Sequence, residues 1–146
     1  MQSDDKILIE LYTTMLTIRR FEERLVREVF AGNIPGFVHS YIGQEAIAAG
    51  VCRHLTRRDR IVSHHRGHGH CIAKGADLKR MMAEIYGKKT GYCKGKGGSM
   101  HIADFSVGML GADGIVGAGL PISTGAAFAA QLERKGDIAA VFFGDG

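Results

Sequence analysis

This chain of 146 residues contains no apolar run approaching the ~18–20 residues that a membrane-crossing helix needs. Its start, Met1-Gln2-Ser3-Asp4-Asp5, is polar and acidic where a secretory leader would be basic and then apolar. Cysteine is scarce: Cys52, Cys71 and Cys93 are an odd number with no close pair. That excludes a disulfide framework and fits reduced thiols in a cytoplasmic setting. Nor does any block of basic residues alternate with aromatics, so a nucleic-acid surface is not indicated. Charge of one sign is modest as well; the formal +4 leans only weakly towards an anionic ligand.

An apolar fraction of 45% and a charged fraction of 23% are those of an ordinary globular domain, with enough chain for one core. Glycine is the exception. Its count of 21 is twice the usual share of about 7%. No collagen period or low-complexity tract accounts for it, and the residues cluster at 87–98 and 108–125, which reads as tight loops facing a ligand.

Ile7, Leu11, Ile18, Phe21, Leu25 and Val29 keep helical spacing after a capping Ser3 and an acidic first turn, up to Gly32. Arg19, Arg20, Glu22, Glu23, Arg24, Arg27 and Glu28 fall on the other, solvent face, and this helix is read as scaffold or subunit contact without chemistry. A turn at 33–36 leads to His39 and then to a helix at about 44–55, while Arg60-Ile61-Val62-Ser63 reads as a short strand. Leu78, Met81, Met82 and Ile85 mark a buried helix face, with Asp77 as its cap and Gly87 as its stop. A small-residue helix opens near Pro121 and closes at Lys135-Gly136, and 138–143 reads as a buried strand ending in Gly-Asp-Gly. Helix followed by strand gives an α/β crossover, and a carboxylate at the strand's carboxyl end, Asp145, stands where open parallel sheets bind ligands. A hard cation such as magnesium would suit that oxygen donor.

His64-His65-Arg66-Gly67-His68-Gly69-His70 invites a zinc reading, but the spacing matches neither a paired-cysteine nor a His-Glu-x-x-His pattern and the stretch holds no acid. An anion site built on Arg66 with neighbouring imidazoles as donors fits the residue types better. The segment 88–101 is rich in Gly and Lys yet fails the Walker pattern, since Gly97 stands in the Ser/Thr position. Gly114-Ile115-Val116-Gly117-Ala118-Gly119 is a weak dinucleotide fingerprint, though bare backbone near a helix start suits a diphosphate.

Taken together, His65–Gly75, Gly95–His101, Gly114–Gly117 and Gly144–Gly146 resemble, in this order, the alpha subunit of the thiamine-diphosphate-dependent first component of 2-oxo acid dehydrogenase complexes. The likeness runs from about Leu11 to the last residue, and the histidine stretch looks most like the acetoin dehydrogenase branch, with pyruvate dehydrogenase as near neighbour. The resemblance implies part of a thiamine-diphosphate-binding fold, a mostly parallel sheet flanked by helices, with 1–32 as N-terminal helix and 33–146 as the cofactor-binding portion. It implies that Asp145 binds magnesium, that Gly146 approaches the diphosphate, and that Arg66 binds its oxygens beside His65, where pyruvate members commonly carry tyrosine. It further implies that Gly114 and Val116 meet the aminopyrimidine, that His39 faces the reacting carbon, and that His101 and Ser99 lie near the mouth of the site.

The implied activity is cleavage of a carbon–carbon bond in acetoin or pyruvate and transfer of a two-carbon unit to a lipoyl group on an acyltransferase partner. A beta subunit would supply the activating glutamate, in a heterotetramer. The family's motif continues to an Asn-Asn pair beyond Gly146, so the chain is expected to be an N-terminal piece, binding the cofactor weakly and inactive alone. A non-catalytic phosphate-binding module on the Gly/Lys loop and a zinc protein on the histidines stand as the other readings.

Overall fold

The computed structural model describes residues 3–144. The elements are α1 (Ser3–Phe30), α2 (Glu45–Cys52), β1 (Arg60–His64), α3 (His68–Ala73), α4 (Leu78–Ile85), β2 (Met109–Asp113), α5 (Gly119–Glu133) and β3 (Ala139–Val141), with a 3₁₀ turn at Phe105–Val107 leading into β2. The α/β class is as the sequence indicates. No described helix is long and apolar enough to cross a membrane.

The apolar stripe of α1 puts Ile18, Phe21 and Leu25 inside. The helix stops at Phe30 because Gly32 takes φ +73°, and the amide of Asn33 turns back to the carbonyl of Glu28 at 3.0 Å. That closure satisfies carbonyls that would otherwise lack partners. Two placements on this helix differ from the sequence reading, and one is Glu28, which is buried and accepts from Arg24 and Asn33. Glu22 does not join the solvent face of α1; it is fully buried. Its spacing explains this, since 18, 22, 25 and 29 run along the same inward row.

α4 starts at its expected cap, Asp77, whose side chain accepts the Arg80 amide at 2.9 Å. Met81 and Ile85 enter the core, whereas Leu78 stays exposed. The glutamate between them, Glu84, is fully buried too. α3 and β2 were not expected. The histidine stretch reads as loop because of its glycines, and β2 carries Gly111 in its middle.

The sheet is wholly parallel, in the order β2-β1-β3. β1 is its centre and pairs Ile61 with Met109 on one side and with Ala140 on the other. α5 supplies the crossover from β2 to β3. The approach of helix to sheet is close at Gly119, where a β-carbon would lie 3.0 Å from Val141 Cγ2 and 3.2 Å from Val62 Cγ1. β3 is an edge among the described residues, so its three residues are half-buried rather than buried as the sequence suggests.

Ile18, Leu25, Tyr41, Ile61, Met81, Ile85, Ile102 and Met109 form one contiguous core that ties α1 and α4 to β1 and β2. Each such apolar side chain contributes roughly 1.5–3 kcal/mol by leaving water. With all strands parallel, the carboxyl ends of β1, β2 and β3 emerge on one side of the sheet. β2 and β3 flank β1 on opposite sides, so the chain changes direction there, and a crevice opens at such a point.

Candidate functional site

The three strand ends deliver His64-His65-Arg66, Gly114–Gly117 and Phe142-Phe143-Gly144 to that crevice. A hollow of about 200 Å³ lies there, lined by Tyr41, Gln44, Ile47, His64, His65, Arg66, His70, Val116, Phe142, Phe143 and Gly144. Among the described residues no carboxylate lines it. Arg66 is held in place: its amide donates to His64 Nδ1 at 3.1 Å and its Nη1 to the Ser40 carbonyl at 2.6 Å. The planar guanidinium has further donors for an acceptor in the hollow.

The imidazoles form a continuous wall. His39 meets His65 edge-on with ring centroids 5.1 Å apart, and His65 lies 5.4 Å from His64. His64 in turn lies 5.5 Å from His70, whose ring stacks on Phe142 at 3.6 Å. Loss of solvent lowers the pKa of His64 and of His65, with their charged neighbours adding to the effect. These rings are therefore neutral near pH 7, and the permanent positive charge among the lining residues is Arg66. The Nδ1 of His65 is buried without a hydrogen-bond partner among the described residues. His101 is exposed, and a β-carbon on Gly114 would sit 3.5 Å from its Cε1. Asp145 and Gly146, the expected magnesium and diphosphate residues, lie outside the described residues.

The sequence candidates thus divide. Arg66, His65 and Val116 share one hollow and His39 touches it through His65, while Gly114 and His101 lie beside each other and are not among its lining residues. The clustered histidines do not act as one group. His70 is buried and bonded to Ser63 Oγ at 2.8 Å and to the Tyr41 hydroxyl at 2.9 Å. His68 is buried and turns to α1, where its Nδ1 lies 2.7 Å from Glu22 Oε1. Among the described residues no group of His, Cys, Asp and Glu could hold a metal ion, and the zinc reading fails on this division.

The phosphate-loop reading fails for a different reason. The amides of Cys93 and Gly95 both donate to Glu84 Oε2 at 2.8 Å, and those of Gly97 and Gly98 donate to Oε1 at 2.7 and 3.2 Å. An anion does sit in the Gly/Lys loop, but it is the protein's own carboxylate. The glycines follow from this: a β-carbon at Gly91 would fall 2.4 Å from Glu84 Cα. The 87–98 cluster is therefore loop packing and not a ligand surface. Tyr41, Gln44 and Phe142 are lining residues that sequence reasoning passed over; the signal available was their closeness in sequence to His39 and to Gly144.

The model of the dehydrogenase E1 component family matches residues 13–146. The chain belongs to that family. This E1 chain is 59% identical over 143 residues to the alpha subunit of acetoin:2,6-dichlorophenolindophenol oxidoreductase from Cupriavidus necator, covering 98% of the chain and 43% of that relative. It is 60% identical over 137 residues to the same-named subunit of Bacillus subtilis, covering 93% and 41%. The pyruvate dehydrogenase E1 component subunit alpha of Zymomonas mobilis is 46% identical over 145 residues, covering 99% and 41%. The E1 chain thus spans about two-fifths of the length of these curated relatives.

Proposed function

We propose that this E1 chain is part of the alpha subunit of a thiamine-diphosphate-dependent dehydrogenase of the acetoin type, and that the hollow at the strand ends receives the cofactor's diphosphate. One observation carries the reading: Arg66, His65 and Val116 meet with Gly144 around a single hollow. A diphosphate fits these residues. Arg66 offers a fixed charge and a forked donor, and the buried, unpartnered His65 Nδ1 is the kind of polar atom that a ligand oxygen or hydroxyl would satisfy. Val116 and the Phe142 ring give an apolar wall to a heterocycle. The volume, about 200 Å³, is below the ~300–1,000 Å³ of complete small-molecule sites. A second surface is therefore needed to close it, and a beta subunit is the proposed source.

In this reading Asp145, following Gly144, carries the magnesium ion, and Gly146 lets the backbone approach the diphosphate. When bound, thiamine diphosphate supplies a nucleophilic carbon and an electron sink for cleaving a bond next to a carbonyl. The chain's own residues do the rest. Arg66 binds and orients the phosphate end. Gly114 and Val116 border the aminopyrimidine. His39, edge-on against His65, would move a proton during turnover, and His101 would serve at the mouth. The two-carbon product would pass to a lipoyl group on an acyltransferase component. Acetoin is preferred to pyruvate because the histidine stretch is of the acetoin type and the acetoin-named relatives share 59–60% identity, against 46% for the Zymomonas mobilis pyruvate-named relative.

The test uses the full-length subunit with its partner subunit, thiamine diphosphate and magnesium. Acetoin-dependent bleaching of 2,6-dichlorophenolindophenol is expected. Arg66→Ala should weaken diphosphate affinity by about 10–100-fold, the scale of lost charge-assisted hydrogen bonds, with Arg66→Lys restoring only part of it. Calorimetry showing equal affinity in wild type and Arg66→Ala would remove Arg66 from the site.

A further inference from the structure

A chain of buried hydrogen bonds runs from α1 to the backbone of His39. Glu22 Oε1 lies 2.7 Å from His68 Nδ1, His68 Nε2 lies 2.9 Å from Ser99 Oγ, and Ser99 Oγ accepts the His39 amide at 3.3 Å. Glu22 and His68 have no exposed surface and Ser99 has 4%. The second oxygen of Glu22 has no partner among the described residues, so the polar role of this carboxylate is committed to the imidazole. Direction follows from the partners. A carboxylate can only accept, which places the His68 proton on Nδ1. In the neutral imidazole Nε2 accepts from the Ser99 hydroxyl, and in the imidazolium it donates to it; in both the serine oxygen receives His39 N–H.

The arrangement has the residue types of a nucleophilic triad, but burial of the serine denies it a substrate, and its output is structural: the position of the main chain at 39 and 99. Those two points carry the candidate catalytic groups. His39 is attached directly, and His101 follows Ser99 by two residues. We propose that Glu22, His68 and Ser99 are positioning residues that set His39 and the 99–101 segment against the hollow, in three steps that cross from the first helix to the site. The proposal rests on the cofactor-site reading above, because it assigns the network a role in turnover.

The experiment uses the full-length subunit with its partner subunit, with thiamine diphosphate, magnesium, acetoin and the dye. Wild type is measured first: absence of both binding and turnover overturns the functional reading itself, separately from the network. Ser99→Ala removes both bonds at the serine and is expected to lower kcat about tenfold per cofactor-loaded site, while KM and diphosphate affinity change less than about twofold. His68→Gln and His68→Asn then separate position from packing. Glutamine reaches towards Ser99, as Nε2 does, and asparagine towards Glu22, as Nδ1 does. Turnover should fall further with asparagine than with glutamine, whatever the two melting temperatures are. Unchanged kcat in Ser99→Ala, or equal kcat in the two His68 variants, overturns the positioning role while leaving the cofactor site standing.

Discussion

Replacing Glu84 by glutamine is the sharpest perturbation this structure offers. The substitution conserves size and removes one acceptor oxygen. In the wild type each carboxylate oxygen accepts two loop amides, Cys93 and Gly95 on Oε2, Gly97 and Gly98 on Oε1. A carboxamide has one oxygen, so two of these amides must face an NH₂ that also donates. A buried donor left unpaired costs about 1–3 kcal/mol. These amides are part-buried, so the lower part of that range applies, and the remaining pair loses its charge assistance. The expected destabilisation is about 2–4 kcal/mol, a large share of the ~5–15 kcal/mol by which a domain is held together. Urea unfolding of the full-length subunit would read it. Hydrogen exchange should show the 93–98 amides losing protection first, ahead of the core strands. A loss below about 1 kcal/mol with those amides still protected would mean that the loop is held by something other than the carboxylate. Glu84→Asp keeps the charge but shortens the reach, and should fall between the two.

Two further outcomes are expected. Burial pushes His70 from its ordinary 6.5 down to about 3. An unfolded chain takes up this proton below 6.5 and the folded chain does not, so the stability involved is complete above pH 6.5 and falls away as the pH drops towards 3. Between pH 7 and pH 5 the His70 share of the loss should be about 2 kcal/mol, so urea stability should fall by about that much less in His70→Gln than in wild type, with His64 and His65 still contributing in both; equal losses in both proteins would contradict the burial argument. Gly69→Ala would put a methyl group 2.1 Å from the Tyr41 ring. Tyr41 is fully buried, so the ring cannot step aside, and a cost of about 1–3 kcal/mol in chemical denaturation is expected; a neutral result would show that the ring has room to move.

Much of the framework could be read from residue order. The α1 stripe, the Asp77 cap, the Gly32 and Gly87 stops and the Pro121 helix start are local features, written in residues close enough to meet within a turn or two. The gathering of Arg66 with Val116 was anticipated only through the family resemblance of the 65–75 and 114–117 motifs, since the strand that carries Val116 to the rim was itself not foreseen. What escaped was long-range. Glu22 looks like one more charge on a charged helix until His68, 46 positions away, is seen beside it. Glu84 sits in a helix with an apolar face, and its partners are backbone amides, which have no identity in a sequence. The glycines at 91 and 95 announce tightness but not what they are tight against. β2 was missed because a glycine in mid-strand and a preceding 3₁₀ turn together imitate a loop.

The parallel sheet has a consequence for how this architecture tolerates change. Since β1, β2 and β3 end at one rim, the separation of the three motifs along the chain is irrelevant to their meeting. Residues could be added to the surface of the 66–108 connection without moving the hollow. A slip of one position between β3 and β1 is another matter. It would carry Phe142 off the face of His70, reverse which side each following residue presents, and send the glycine at the rim away from Arg66. Insertions between the strands are cheap here, and errors of register are not.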